Sequence, residues 1–172
     1  MYTISKEFQF SYSHRVWNQE LSDSQECKCR HLHGHNGVLT IELSSNTLTR
    51  DMVLDYNELN HIKAFVDSFI DHRLIMDKND PMLKFLISPY AVMESKYGFN
   101  KIKKQGFNKI KKQGVYLCDE EQELYESIVL IECCPSSENF CRILYKELKK
   151  DCSFISWVSW SETPKTNASY WE

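Results

Sequence analysis

Alternating apolar and polar residues open the chain and predict a β-strand from Tyr2 to Tyr12. A second alternating run, from Val38 to Leu43, directly follows the tetrapeptide His33-Gly34-His35-Asn36. Successive side chains of a strand point to opposite faces, so the two histidines of an H-x-H pair share one face. The pattern therefore predicts a strand that carries two neighbouring imidazoles.

Further elements follow in order. The spacing predicts a short strand at Met52–Leu54, a helix that starts at Asp55 and ends near Asp71, a strand at Ile128–Ile131, a helix that starts near Pro135, and a last strand from Ser153 to Glu162. Few helices and hairpin-like strand spacing indicate an α+β fold, with an antiparallel sheet covered by helices on one face.

The stretch from about 81 to 126 differs from the rest of the chain. It contains a tandem duplication, in which the octapeptide GFNKIKKQ of 98–105 is repeated at 106–113. Residues 96–112 hold seven lysines and no acid. We predict a single domain over 1–172 with this lysine-rich segment as a solvated, mobile insertion. The alternative is a basic amphipathic helix that contacts a membrane or a nucleic acid.

Composition narrows the function classes. Outside the lysine-rich stretch the chain has 14 basic and 24 acidic side chains, a net charge of about −10, which disfavours nucleic-acid binding. No apolar run reaches the ~20 residues that span a bilayer, and the first residues do not resemble a signal peptide, so we expect no membrane partner and a cytoplasmic location.

The seven cysteines include an adjacent pair and are expected to be reduced thiols.

Three histidines form the strongest candidate site. If the first two strands pair as a hairpin, His14 at the end of the first strand joins His33 and His35. Three imidazoles with one vacant position are typical of catalytic Zn²⁺ rather than structural Zn²⁺. The competing hypothesis is a structural zinc site of Cys27 and Cys29 with His31 or His33, although a C-x-C pair lacks the usual zinc-finger spacing.

Other polar residues stand at the ends of predicted elements. Asp71-His72 closes the first helix and is either a dipole-stabilised helix end or an acid–histidine proton relay. Ser136, Ser137 and Glu138 open the second helix, where they are either simple caps or part of a pocket. Glu162 ends the last strand, and a buried carboxylate there suits a guanidine-like ring edge.

Together these motifs resemble the 6-pyruvoyl-tetrahydropterin synthases and their relatives, the 6-carboxytetrahydropterin synthases. The resemblance runs through 1–80 and 128–172. It is carried by five segments in the family's order: Phe10-Ser11-Tyr12-Ser13-His14-Arg15, His33-Gly34-His35-Asn36, Asp71-His72-Arg73, Pro135-Ser136-Ser137-Glu138-Asn139 and Ser161-Glu162. The lysine-rich insertion has no counterpart in the family.

The resemblance implies a T-fold, a four-stranded antiparallel sheet with two helices on one face. Such subunits assemble into ring-like barrels, in this family a homohexamer built as a dimer of trimers. It also implies a zinc-dependent lyase acting on 7,8-dihydroneopterin triphosphate. In that reading His14, His33 and His35 bind the metal, Glu162 anchors the pterin, and Asp71 with His72 forms the relay. Ser136, Ser137 and Glu138 would lie in the pterin pocket.

One departure from the family decides the expected reaction. The family's usual third catalytic member is a cysteine shortly before H-x-H, whereas this chain offers Glu26, Cys27 and Cys29. Cys27 has the spacing of the animal-type enzymes, and Cys29 that of the bacterial queuosine-pathway enzymes. A third branch, known in malaria parasites, uses a glutamate and makes 6-hydroxymethyl-7,8-dihydropterin for folate synthesis.

The parasite-like insertion favours this third branch, so we predict Glu26 as the catalytic base and 6-hydroxymethyl-7,8-dihydropterin as product, with some 6-pyruvoyl-tetrahydropterin as a candidate side product. The alternatives are a standard synthase that uses Cys27 or Cys29, and a pterin- or metal-binding protein without turnover. Arg30, Arg73 and Lys165 are candidate triphosphate contacts.

Overall fold

The structure, a computed structural model, describes residues 1–22, 25–87, 90–93, 96–104, 111–112, 115–116 and 120–172. Its strands are β1 Tyr2–His14, β2 His33–Ser45, β3 Arg73–Asp77, β4 Tyr90–Met93, β5 Asn100–Lys104, β6 Lys111–Lys112, β7 Val115–Tyr116, β8 Ile128–Ile131, β9 Ile155–Thr163 and β10 Thr166–Tyr170. Its α-helices are α1 Asn60–Phe69, α2 Leu83–Leu86, α3 Glu120–Ser127 and α4 Ser137–Asp151. None of the helices in these ranges is long and apolar enough to cross a bilayer.

The main sheet has the strand order β10-β9-β2-β1-β3-β8-β5-β4. Strands β1 and β2 pair antiparallel over their full length, with Tyr2 opposite Ser45 and His14 opposite His33. The expected hairpin pairing is therefore confirmed, with the long connection 15–32 between the two strands. Strand β3 runs parallel to both β1 and β8, so the sheet is mixed rather than purely antiparallel.

The predicted strand at Met52–Leu54 is wrong, because Met52 forms only an isolated bridge with Thr49. Outside the lysine-rich stretch, the pattern did not predict β3, which follows directly on Asp71-His72, or β10, which pairs with β9 beyond a tight connection. Within that stretch it did not predict β4 to β7. The predicted α+β class is confirmed. The main sheet is larger than the four antiparallel strands that we expected, it is mixed, and the chain has more than two helices.

The main core lies between the sheet and the two longer helices. Phe8, Phe10 and Tyr12 of β1 are buried, as the alternation predicted, and so are Leu39 and Ile41 of β2. They form one cluster with α1 and α4, whose buried residues include Ile62, Phe65, Val66, Phe140, Leu144 and Leu148. Both helices therefore cover the same face of the sheet, as expected.

Part of the predicted solvated insertion is buried instead. Phe99 and Ile102 are 0% and 1% exposed, and strand β5 pairs antiparallel with β8. Ile102 belongs to a second apolar cluster with Met76 of β3 and Leu130 of β8. This cluster covers the other face of β3 and β8, which explains why β8 is a continuous apolar run. Most of the second copy of the octapeptide, 106–113, lies outside the described residues.

Candidate active site

The three predicted histidines meet at one end of the β1–β2 pair. Their nearest ligand nitrogens all lie within 4.8 Å of one another. His14 is 1% exposed at the end of β1, and His33 and His35 follow from the opposite strand on the same face. The structure thus confirms the prediction that the two histidines of the H-x-H pair share one face and lie beside His14. Among the described residues, no thiol belongs to this cluster, so the alternative site of Cys27, Cys29 and a histidine finds no support.

Backbone carbonyls set the orientation of two of the rings. The Nδ1–H of His14 donates to the Pro135 carbonyl at 2.6 Å, and the Nδ1–H of His33 donates to the His31 carbonyl at 2.8 Å. Each ring then offers Nε2 as a lone pair, because a neutral imidazole carries only one N–H. The Nε2 atoms of His14 and His35 are buried and have no hydrogen-bond partner among the described residues. Such orphaned, converging acceptors fit a divalent metal ion.

The site keeps these imidazoles neutral. Burial lowers the pKa of His14 to about 4, although the Pro135 hydrogen bond and the Glu162 carboxylate act in the opposite direction. Burial also lowers the pKa of His35. A neutral imidazole is the form that ligates a metal. The residues present therefore suit Zn²⁺, for which His14, His33 and His35 would be the ligands.

Glu162 lies beside this cluster at the end of β9. Its Oε1 is 3.7 Å from Nε2 of His14 and 3.5 Å from the Tyr12 hydroxyl. The Tyr12 hydroxyl in turn accepts a hydrogen bond from Trp160 Nε1 at 3.0 Å, and burial raises the pKa of Tyr12. Tyr12 therefore stays neutral and holds its hydroxyl toward the carboxylate, whose side chain is 26% exposed.

Next to Glu162 is a pocket of about 310 Å³. Its walls come from the β1–β2 connection, the start of α4 and the β9–β10 pair: Val16, Gln19, Cys29, Ser136, Ser137, Glu138, Glu162, Thr166, Asn167 and Ala168. The four predicted pterin-binding residues thus share one pocket. Val16, Gln19 and the β10 residues were missed, because no side-chain chemistry marks them in the sequence.

The start of α4 supplies two different serines to this pocket. The Ser136 oxygen accepts a hydrogen bond from the Asn139 amide, so it acts as the helix cap. The Ser137 hydroxyl is buried and has no partner among the described residues. Ser137 therefore has an unused donor and acceptor at the wall of the pocket, next to the unpaired N–H groups of the first helical turn.

The structure separates the three candidate bases. Cys29 is half-buried and lines the pocket, whereas Glu26 is exposed and does not line it. The Val16 amide donates to the Cys29 carbonyl at 2.7 Å, and the Cys29 amide donates to Gln19 Oε1 at 3.2 Å. Cys27 is half-buried but is absent from the pocket lining. Of the three predicted candidates, Cys29 is thus the one that lines this pocket, and the catalytic role of Glu26 stays a prediction.

Asp71 and His72 lie elsewhere. Asp71 Oδ2 is 3.0 Å from His72 Nδ1, and its Oδ1 accepts the Ser11 amide at 2.8 Å. Burial alone would raise the pKa of Asp71, but the Ser11 amide and His72 outweigh it and lower this pKa. The carboxylate lines another pocket, of about 430 Å³, with Ser11 and Asn36. Ser11 alternates with Tyr12, so this pocket opens on the opposite face from the histidines.

Of the candidate triphosphate contacts, Arg73 donates to the Glu126 carbonyl at 2.9 Å. Lys165 is exposed and adjoins Thr166 of the pocket wall, and Arg30 is exposed next to Cys29. Their phosphate-binding roles stay predictions.

Comparison with known proteins gives the family. The profile described as 6-pyruvoyl tetrahydropterin synthase matches residues 3–172. This chain belongs to that family. The 6-carboxy-5,6,7,8-tetrahydropterin synthase of Aquifex aeolicus is 31% identical over 189 residues, which cover 98% of this chain and 97% of that protein.

Solved structures have the same fold. The crystal structure of an uncharacterized protein from Wolinella succinogenes has a TM-score of 0.84 at 36% identity and covers 99% of this chain and 98% of its own. The 6-pyruvoyl tetrahydropterin synthase of Plasmodium vivax has a TM-score of 0.54 at 16% identity, covering 99% and 98%. The second likeness shows the shared T-fold alone, so it gives no support to the predicted malaria-type glutamate branch.

Proposed function

We propose that this chain is a zinc-dependent lyase of pterin synthesis that acts on 7,8-dihydroneopterin triphosphate, with 6-carboxy-5,6,7,8-tetrahydropterin as its main product. The observation that carries the proposal is the position of Cys29 in the pocket wall that also contains Glu162 and Ser137. The Aquifex aeolicus relative, which is named for this product, supports the same choice.

The residues around the pocket have separate proposed roles in binding the pterin and the metal. The Glu162 carboxylate accepts two hydrogen bonds from the guanidine-like edge of the pterin, and Ser137 with the first turn of α4 binds the ring beside it. His14, His33 and His35 would hold Zn²⁺, which would supply a Lewis acid for the hydroxyls of the substrate side chain. Ser136 caps α4 at the pocket, and Glu138 in the first turn of the helix lines its wall.

Cys29 is the proposed base. The named product keeps one side-chain carbon on the pterin, as a carboxylate. Its formation takes up one water, breaks the C1′–C2′ bond, and releases triphosphate together with the other two carbons as acetaldehyde. The electrons lost by C1′ reduce the dihydropterin ring and the two-carbon fragment, so that no external oxidant is required. A group at the wall of the pocket must remove a proton from the side chain for either bond to break. Cys29 is the candidate that reaches this wall, whereas the Glu26 carboxylate faces solvent.

The proposal extends to the assembly. A relay on the outer face of the sheet cannot serve the pocket of its own subunit, so Asp71 and His72 act in the pocket of a neighbouring subunit. A homohexamer made of two trimers, as in the resemblance above, provides such neighbours.

The deciding experiment incubates the zinc-loaded protein with 7,8-dihydroneopterin triphosphate and identifies the product by mass and fluorescence. We expect 6-carboxy-5,6,7,8-tetrahydropterin, and a loss of about 10²-fold or more in kcat for Cys29→Ala. Cys27→Ala and Glu26→Gln are the matched controls and should retain activity. A 6-hydroxymethyl-7,8-dihydropterin product that disappears in Glu26→Gln would instead establish the glutamate branch. No product at all would leave a pterin- or metal-binding protein.

A further inference from the structure

The connection between β1 and β2, which carries Cys29, is held at the end of β3 by two buried carboxylates. Asp77 and Asp80 are 4% and 3% exposed and lie outside the pocket described above. Buried acids are retained only where partners satisfy them, because an unpaired buried charge is very costly. Each of these two acids has one side-chain partner in the connection between β1 and β2.

Both carboxylates hold side chains that directly follow His14. Asp77 Oδ2 accepts a hydrogen bond from Trp17 Nε1 at 2.9 Å, and its Oδ1 accepts the Asn79 amide at 2.8 Å. Asp80 Oδ2 is 2.8 Å from Arg15 Nε, an ion pair whose atoms are not aligned as a hydrogen bond. Arg15 is 11% exposed in this pair, so the attraction is little screened by solvent.

A third contact holds the same segment from the side of α4. The backbone amides of Trp17 and Asn18 lie beside the thiol of Cys134, one residue before Pro135, and act to lower its pKa, although burial outweighs them and raises it. The segment is held chiefly by the side chains of Arg15 and Trp17.

The fixed segment in turn positions Cys29. Val16 and Gln19, which flank Trp17, make the two hydrogen bonds to the backbone of Cys29 at 2.7 and 3.2 Å. A continuous path thus runs from Asp77 and Asp80 through the segment 15–19 to the thiol. The short helical turn that contains Cys29 has no buried residue of its own, so these bonds are its main anchor among the described residues.

We propose that Asp77 and Asp80, with Trp17 and Arg15, form a latch that positions Cys29 in the pocket. They are positioning residues, and none of the four contacts the substrate pocket. This inference rests on the proposed role of Cys29 for its catalytic consequence, but the position of the thiol can be measured without turnover.

The test uses the zinc-loaded full chain and two conservative variants. Trp17→Phe keeps the ring and removes the N–H donor, and Asp80→Asn keeps the shape and removes the charge. Trp157→Phe, at another half-buried tryptophan on β9, is the matched control. Iodoacetamide labelling of each cysteine is followed by peptide mass spectrometry, with Cys152 as the internal reference.

We expect Cys29 to be labelled about threefold faster or more in both latch variants, because the loop opens locally more often. Labelling of Cys152 and of the control variant should not change. The latch is overturned if Cys29 is labelled at the wild-type rate in either latch variant that keeps the wild-type melting temperature. This result does not depend on whether the protein turns over any pterin.

A double-mutant cycle tests whether the latch affects catalysis through Cys29. Trp17→Phe should lower kcat about tenfold with little change in KM, and should cost nothing further in a Cys29→Ala background. An equal loss in both backgrounds would show that Trp17 does not act through Cys29. If wild-type turnover is itself absent, the proposed function fails while the labelling result still decides the latch.

Discussion

The Pro135 carbonyl, which directly precedes the cap of α4, accepts the Nδ1–H of His14 at the end of β1, 2.6 Å away. This single bond ties the helix that forms the pocket to the strand that carries the buried imidazole. It also sets the tautomer of His14, so that Nε2 faces His33 and His35 as a lone pair.

Replacing His14 by Ala should abolish stoichiometric zinc binding, because two remaining imidazoles do not make a tight zinc site. The metal content of the purified protein, measured by mass spectrometry, gives the answer. His61→Ala is the control, since His61 is exposed on α1, away from the three-histidine cluster, and its Nδ1 is hydrogen-bonded to the Glu58 carbonyl. Zinc retained in the His14 variant would contradict the three-histidine assignment.

The metal-free protein should lose stability on acidification. The pKa of His14 is lowered from 6.5 to about 4, so the unfolded chain takes up this proton before the folded chain does. Stability is therefore complete above pH 6.5 and falls between pH 6.5 and 4, by up to about 1.4 kcal/mol per pH unit for this group.

Urea unfolding in the presence of a chelator across this range measures the slope. It should become shallower in His14→Gln and stay unchanged in His61→Gln. A wild-type slope in the His14 variant would assign the pH dependence to other groups.

Glu162→Gln should weaken recognition of the pterin. The amide keeps the size of the side chain but loses the charge that accepts both hydrogen bonds, a cost of roughly 1.5–3 kcal/mol or about 10- to 150-fold in kcat/KM. Steady-state kinetics with 7,8-dihydroneopterin triphosphate test this, with Glu42→Gln on β2 as the control. An unchanged kcat/KM would remove Glu162 from the proposed pterin site.

Tyr12→Phe should destabilise the fold although it deletes only one oxygen. The Trp160 indole N–H is fully buried and would lose its acceptor, which costs about 1–3 kcal/mol. Chemical denaturation measures this difference in the free energy of unfolding. Tyr2→Phe, at a 52% exposed position on the same strand, should change it by less than about 0.5 kcal/mol.

Two inactive variants should restore activity when they are combined. If Asp71 serves the pocket of a neighbouring subunit, co-assembled Asp71→Asn and His14→Ala chains create some pockets with neither lesion. Activity should rise above that of either variant after co-expression, and should stay absent when the assembled proteins are only mixed. No recovery in the co-expressed oligomer would place the relay in its own subunit or outside the reaction.

The sequence alone determined the strands and helices in which apolar residues recur with the period of that element, two residues in a strand and about 3.6 in a helix. The alternation from Phe8 to His14 and the H-x-H pair specified one face of two strands, because a strand has only two faces. The cap at Ser136 and the apolar spacing after it specified α4 in the same way. These local rules were enough to predict the three-histidine cluster.

Only the tertiary structure decided the rest. The side chains of Glu26, Cys27 and Cys29 lie in an irregular segment, whose direction is set by bonds to Val16 and Gln19 and not by any repeat. The parallel position of β3 depends on its neighbours. The burial of Ile102 depends on a face of β8 that the two long helices leave uncovered, and that of Phe99 on its contacts with Phe65 and Phe140. The periodicity of apolar residues shows on which face of an element a side chain lies. Which other residues pack against that face depends on contacts between segments that are distant in the sequence.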